Sequence, residues 1–150
     1  MRKLSVTSRC LVDPWLLPNT PEHESSTQSK QDVTLPTPIP RPHESIEAKR
    51  ARLIYQSRKR GTLETDLLLS TFANDHLAEM SLSELNEYDK LLDEPDWDIY
   101  YWSTEKREPP ARWQSSPLLS KLRVHTRNEG KVTRRMPDLS GSPLPNPPPR

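Results

Sequence analysis

Proline is distributed unevenly along this chain of 150 residues, and its distribution limits which segments can fold. Seven of the 17 prolines lie in residues 1–42 and six lie in residues 137–150, whereas none lies between residues 43 and 94. Proline lacks a backbone N–H and interrupts regular structure, so proline-dense ends are typical of disordered or polyproline-like segments. The ordered part of the chain is therefore expected between the two ends.

Aromatic residues indicate the extent of that ordered part. Eight of the nine phenylalanine, tyrosine and tryptophan residues lie between Tyr55 and Trp113. We therefore predict one folded domain at residues 46–127, flanked by disordered segments at 1–45 and 128–150. A domain of this length lies near the lower size limit, roughly 60 residues, at which a chain folds without disulfides or metals.

Apolar residues within this domain recur at helical spacing. One series that follows a single helix face consists of Leu69, Phe72, Ala73, His76, Leu77 and Met80. A second series consists of Leu82, Leu85, Tyr88 and Leu92. The chain shows no sustained alternation of period two and no Asn-Gly or Asp-Gly hairpin signal. We predict an all-α fold, a small compact bundle of about five short helices without a sheet.

Capping residues mark the starts of the predicted helices. The residues at or next to these starts are Ser45, Thr62, Ser81 and Pro95. Ser45 would cap a helix that spans residues 46–59, because its hydroxyl can accept a hydrogen bond from a free backbone N–H. Ser81 and Glu84 have the spacing of a capping box, and Pro95 is predicted as a first helical residue. The final amphipathic segment contains Trp113, Leu118, Leu119, Leu122 and Val124.

Several classes of site are disfavoured by the sequence. Cys10 is the only cysteine, so neither an internal disulfide nor a cysteine metal cluster can form. The longest apolar runs fall far short of the roughly 20 residues of a membrane helix, so we predict no membrane insertion. The histidines have no metal-ligand spacing, and no nucleophile motif or phosphate loop is present. We predict no catalytic residue, no metal and no stably bound cofactor.

The charge of the chain changes sign at Gly61, which is one of only three glycines. Residues 49–60 contain six bases and no acid, whereas residues 61–98 contain eleven acids and one base. In one interpretation, Gly61 ends a helix in the left-handed region, and Arg60 and Glu64 complement two helix dipoles. In another, the missing side chain lets a partner's backbone approach, and Arg60 and Glu64 project on either side to bind it. The two interpretations are compatible.

The stretch from Trp97 to Trp102 contains four aromatic rings and Ile99. A helix can direct Trp97, Tyr100 and Tyr101 into the core, but five such neighbours cannot all face one way. Some of Tyr100, Trp102 and Ile99 are therefore expected to be exposed, where aromatic residues often anchor interfaces. We assign Tyr101 and Trp102 as candidate partner contacts. Acids interleave with these rings and would repel phosphate, which disfavours stacking on nucleic acid.

The basic segment, residues 49–60, allows three interpretations. It can be a solvated helix face, a contact for an acidic protein, or a contact for RNA or an anionic membrane. Of the two binding interpretations we favour an acidic protein over a polyanion, because the acids downstream oppose a polyanion, and we assign Arg58 to the contact surface. The alternative is a nucleic-acid-binding or regulatory helical adaptor that uses this segment.

The first twelve residues have the composition of a mitochondrial presequence. They contain three bases, three hydroxyl residues and no acid. Composition alone leaves import into mitochondria open, and the sequence does not define a cleavage point.

Two motifs together resemble a known family. Arg60, Gly61 and Glu64 form an Arg-Gly-x-x-Glu motif, and residues 94–102 read EPDWDIYYW. With the spacing between them, these motifs resemble the succinate dehydrogenase assembly factor 2 family, mitochondrial relatives of the bacterial flavinators. The resemblance covers roughly residues 49–127, and RRMPDL at 134–139 is similar to a short piece of the mitochondrial members.

This resemblance implies a compact fold of about five helices and a role without enzymatic activity. Family members promote covalent attachment of FAD to a histidine of the flavoprotein subunit of succinate dehydrogenase. It implies that Arg60, Gly61 and Glu64 contact that subunit, and that FAD is carried by the partner. We therefore expect a mitochondrial matrix protein whose partner is this subunit, without nucleic acid.

Overall fold

The computed structural model describes residues 16–28 and 38–138, and these residues form α-helices without strands. The helices are α1 (Pro21–Ser26), α2 (Ile46–Ser57), α3 (Leu63–His76), α4 (Leu82–Leu92), α5 (Asp96–Ser103), α6 (Ala111–Gln114) and α7 (Pro117–Arg127). The all-α prediction is confirmed. The predicted presequence and residues 139–150 lie outside the described residues.

The predicted caps Ser45, Thr62 and Ser81 are present at the starts of α2, α3 and α4, where each side chain accepts a hydrogen bond from a backbone N–H of the first turn. The hydroxyl of Ser45 accepts a hydrogen bond from the Ala48 N–H at 3.2 Å, at the start of α2. Ser81 and Glu84 form the complete capping box of α4, since each side chain accepts a hydrogen bond from the other residue's backbone N–H. Pro95 lies one position earlier than predicted, because it is the N-cap of α5.

Helix α3 forms the centre of the bundle and packs against α2, α5 and α7. Its buried residues lie on more than one side of the helix, because neighbouring helices surround it. The largest fully buried side chains of the core are Tyr88, Tyr101, Phe72, Leu53, Leu69, Leu77, Leu85, Leu91, Ile99, Leu118, Leu119 and Leu122. Each buried leucine or phenylalanine stabilises the fold by roughly 1.5–3 kcal/mol relative to an exposed one.

The ends of the domain differ from the sequence-based prediction in three ways. The last amphipathic segment is two helices, because Pro117 starts a new helix that is capped by Ser116. Val124 of that segment is exposed and does not belong to the core. Helix α1 lies in the segment predicted to be disordered, where Thr20 caps a helix whose first residue is Pro21.

Candidate partner-binding surface around Gly61

Gly61 lies in the connection between α2 and α3, and its own chain fills the space beside it. The residue is not in the left-handed region, so the interpretation that it ends a helix there is wrong. A Cβ at this position would lie 2.9 Å from Oδ2 of Asp96. That oxygen accepts a hydrogen bond from the Gly61 N–H at 2.5 Å. The missing side chain therefore makes room for a carboxylate of the chain itself.

The Arg60 side chain also contacts the Asp96 carboxylate. We call the contacts of this carboxylate with Arg60 and with the Gly61 N–H the Arg60–Asp96 latch. Oδ1 of Asp96 accepts hydrogen bonds from Nε of Arg60 at 2.6 Å and lies 2.6 Å from its Nη2. The Arg60 side chain is only 12% exposed. The expectation that Arg60 projects outward beside a bare backbone is therefore wrong, because its guanidinium faces the start of α5.

The latch continues into α6 through Glu94. Nη2 of Arg60 lies 3.4 Å from the Glu94 carbonyl oxygen. The Glu94 carboxylate accepts hydrogen bonds from the Trp113 indole at 2.9 Å and from the Arg112 guanidinium at 2.8 Å. The EPDWD stretch therefore joins the connection between α2 and α3 to the starts of α5 and α6.

The next two side chains face solvent. Leu63 is 82% exposed. The Glu64 side chain is exposed, and its carboxylate forms no hydrogen bond or ion pair with any residue that the structure describes. Both residues lie in the first turn of α3, directly after the latch. An apolar side chain beside an unpaired carboxylate on a fixed backbone is suited to contact with another protein.

The other predicted contacts lie elsewhere. Arg58 is half-buried, and its Nη1 donates to the carbonyl oxygen of Pro137 at 2.5 Å. Tyr101 and Trp102 are buried, and Trp102 is only 4% exposed. Some of Tyr100, Trp102 and Ile99 were expected to be exposed, but Ile99 and Trp102 are buried and Tyr100 is half-buried, because α5 is covered on several sides by its own chain. The structure therefore brings together Arg60, Gly61 and Glu64, but not the two aromatic residues.

The basic segment is largely occupied by internal contacts. Arg52 forms two-pronged contacts with Glu44 and Asp89, with N–O distances of 2.6–2.8 Å. Hydrogen bonds to Asp89 and Glu44 raise the pKa of Arg52 above its usual value, and the hydrogen bond from Arg52 lowers the pKa of Asp89. Arg50 donates to the carbonyl oxygens of Leu77 and Met80. A nucleic-acid surface made from these cations would have to break contacts that already exist.

His125 joins α7 to α3 through polar contacts. Its Nε2 lies 3.0 Å from the Thr71 hydroxyl, and its Nδ1 lies 3.8 Å from Asp75. The Thr71 hydroxyl also lies 2.8 Å from the Leu67 carbonyl oxygen of its own helix. The cluster therefore packs α3 against α7.

His125 should make the stability of the fold depend on pH. Burial, followed by the charge of Arg134, lowers its pKa to about 4, and its side chain is 6% exposed. The unfolded chain takes up this proton near pH 6.5, so acidification from pH 6.5 to 4 favours unfolding. We expect a loss of about 1–3 kcal/mol over this range.

Urea unfolding of the natural chain and of His125→Asn, from pH 7 to 5, measures this effect. The loss should be smaller in the variant, because Asn does not titrate. Equal slopes in the two proteins would contradict the assignment to His125.

Asp96 and Asp98, the two acids that flank Trp97, are also paired internally. Asp96 belongs to the latch, and Asp98 forms an ion pair with Arg107.

In the parts of the chain that the structure describes, no group of three or more His, Cys, Asp or Glu residues could hold a metal ion. None of the helices at 16–28 and 38–138 has the length and apolar character needed to cross a membrane.

Comparison with known proteins identifies similar chains. A family model described as flavinator of succinate dehydrogenase matches residues 51–126, which include the latch and Glu64. The chain is 52% identical over 148 residues to a Cryptococcus neoformans var. neoformans protein named succinate dehydrogenase assembly factor 2, mitochondrial, which covers 93% of this chain and 85% of that protein. It is 58% identical over 120 residues to the Candida glabrata protein of the same name, with 76% and 78% covered. The corresponding Yarrowia lipolytica protein is 55% identical over 116 residues, with 75% and 79% covered.

Proposed function

Because this chain belongs to the succinate dehydrogenase assembly factor 2 family, we propose that it assists assembly of succinate dehydrogenase in mitochondria. More specifically, we propose that it binds the flavoprotein subunit in the matrix and promotes covalent attachment of FAD to that subunit. The mitochondrial location is supported by the names of its relatives. The matrix and the flavoprotein subunit are part of the proposal, which places the factor with the subunit that carries the FAD.

One structural observation supports this proposal most strongly. Leu63 and Glu64 are exposed at the start of α3, while the residues directly before them are fixed by the latch. A surface that is already ordered loses little conformational entropy on binding. Glu64 can accept hydrogen bonds from N–H groups or an arginine of the partner, and Leu63 can bury apolar area.

The proposed mechanism is positioning of the partner's own groups. The partner carries the FAD and the acceptor histidine, and docking would hold the two in bonding geometry. Orientation of reacting groups can lower a barrier by up to about 7–11 kcal/mol. The side chains of this factor that could carry protons, such as His125 and Asp96, are held in internal contacts. We therefore assign it no catalytic residue and no cofactor of its own.

Glu64→Ala should impair flavinylation much more than it affects folding. The substitution removes an exposed carboxylate without an internal partner, so its cost in folding is limited to the helix-dipole term, about 0.3–1 kcal/mol. Glu47→Ala is the matched control, because Glu47 is another exposed acid in the first turn of a helix. Covalent flavin on the flavoprotein subunit, read by fluorescence in a denaturing gel, should fall at least tenfold for Glu64→Ala only. Equal flavin levels in the two variants would contradict the contact role.

Deletion of the protein tests the proposed function as a whole. We expect the flavoprotein subunit to accumulate with little covalent flavin, and normal flavinylation would overturn the proposal.

The alternative function, nucleic-acid binding by residues 49–60, is tested by titration of RNA at low salt. Phosphate-driven binding weakens steeply as salt increases, so salt-sensitive binding would favour the alternative.

A further inference from the structure

Helix α1 is docked on the domain by a buried histidine. His23 is 8% exposed, and its Nδ1 lies 2.6 Å from the Tyr101 hydroxyl. Its ring meets the edge of Trp97 with a centroid distance of 4.4 Å. A histidine that is buried in a six-residue helix depends on tertiary contacts, since such a short helix is not stable in isolation.

Residues on both sides of His23 extend this contact. The backbone N–H of Asn19 donates to the Tyr101 hydroxyl at 3.3 Å, and the Asn19 side chain accepts from Lys106 at 2.8 Å. Arg107 donates to the carbonyl oxygen of Glu24 and to the hydroxyl of Thr27. Contacts at Asn19, at His23, and at Glu24 and Thr27 therefore hold the segment against α5 and the turn that follows it.

The surface beneath this segment includes a largely buried ion pair. Arg107 and Asp98 form an ion pair whose side chains are 12% and 5% exposed. The Arg107 guanidinium lies over the Tyr101 ring, 4.8 Å from its centroid. Removal of the segment would expose the apolar faces of Trp97 and Tyr101. It would also break the hydrogen bonds from Arg107 to Glu24 and Thr27. Both changes disfavour the folded state.

We propose that residues 19–28 form a clasp that is retained in the mature protein and completes the fold of α5. Presequence cleavage, by a peptidase that removes mitochondrial targeting segments, must then occur before Asn19. The clasp itself does not depend on the proposed function, whereas the placement of the cleavage point rests on the proposed mitochondrial location. Cleavage further along the chain would remove His23 from Tyr101 and Glu24 from Arg107.

The first test is the intact mass of the protein purified from mitochondria. A mature chain that begins at or before Asn19 is expected. A chain that begins after Asn19 would overturn the retention of the clasp.

The second test uses the full chain and does not require flavinylation activity. His23→Ala should lower Tm by roughly 4–8 °C, and Tyr101→Phe should make the effect of His23→Ala smaller, because the hydrogen bond is then already lost. Glu22→Ala is the matched control on the same helix, since Glu22 is exposed. Limited proteolysis should cleave residues 16–28 faster in His23→Ala than in Glu22→Ala. An unchanged Tm together with unchanged cleavage would overturn the clasp, whether or not the protein promotes flavinylation.

Discussion

Asp96→Ala is expected to destabilise the domain by about 2–4 kcal/mol, the largest loss of any single substitution near the site. The carboxylate accepts hydrogen bonds from the Arg60 side chain and from the Gly61 N–H. Its removal leaves the mostly buried Arg60 guanidinium without its ion-pair partner, and such an uncompensated charge is strongly unfavourable. The free energy of unfolding in urea measures the loss.

Asp96→Asn provides the control for charge. It retains one acceptor oxygen of similar geometry but removes the negative charge, so an intermediate loss is expected. Arg60→Ala should couple to Asp96→Ala in a double-mutant cycle, since each substitution removes the same contact. Additive losses would show that the two side chains do not interact in the folded protein.

Gly61→Arg is expected to have the largest effect on function, with complete loss of flavoprotein binding in a pull-down. A Cβ at this position already meets the Asp96 carboxylate, so a long side chain would disturb the latch that fixes the backbone directly before the exposed Leu63 and Glu64. Most of the helical circular dichroism should remain, because the residue lies outside the helices.

Gly130→Arg is the matched control for this substitution. A Cβ at Gly130 meets only Val132, at an ordinary contact distance of 3.6 Å. This variant should bind the flavoprotein subunit as the natural chain does. Normal binding by a folded Gly61→Arg variant would refute the contact surface, whereas loss of helical signal would assign its effect to folding.

The helices could be predicted from the sequence because their determinants are local. The hydroxyl of Ser45 and the pair Ser81 and Glu84 act within three residues, and the apolar spacing shows which faces are buried. The latch could not be predicted, because Arg60 and Asp96 are 36 residues apart and the sequence offers several acids for one arginine. The charge reversal points to Gly61, but the carboxylate that lies against this glycine belongs to the same chain.

The ends of the domain were harder to predict for a related reason. Proline content indicates low intrinsic order, but it carries no information on tertiary contacts such as that of His23 with Tyr101. The aromatic stretch was expected to be partly exposed because five neighbouring residues cannot share one helix face. The structure buries Ile99, Tyr101 and Trp102 by covering α5 from several directions, including α1.

The most direct test of the account is a double-mutant cycle of Gly61→Ala and Asp96→Ala, measured as the free energy of unfolding. With Asp96 present, Gly61→Ala should destabilise the domain by about 1 kcal/mol, because the new Cβ lies 2.9 Å from a carboxylate that cannot move away without weakening its hydrogen bonds to Arg60 and to the Gly61 N–H. In the Asp96→Ala background, Gly61→Ala should be neutral or stabilising by about 0.4–1 kcal/mol, since it restricts the unfolded chain. The same change in stability in both backgrounds would contradict the claim that Gly61 is required by the chain's own carboxylate.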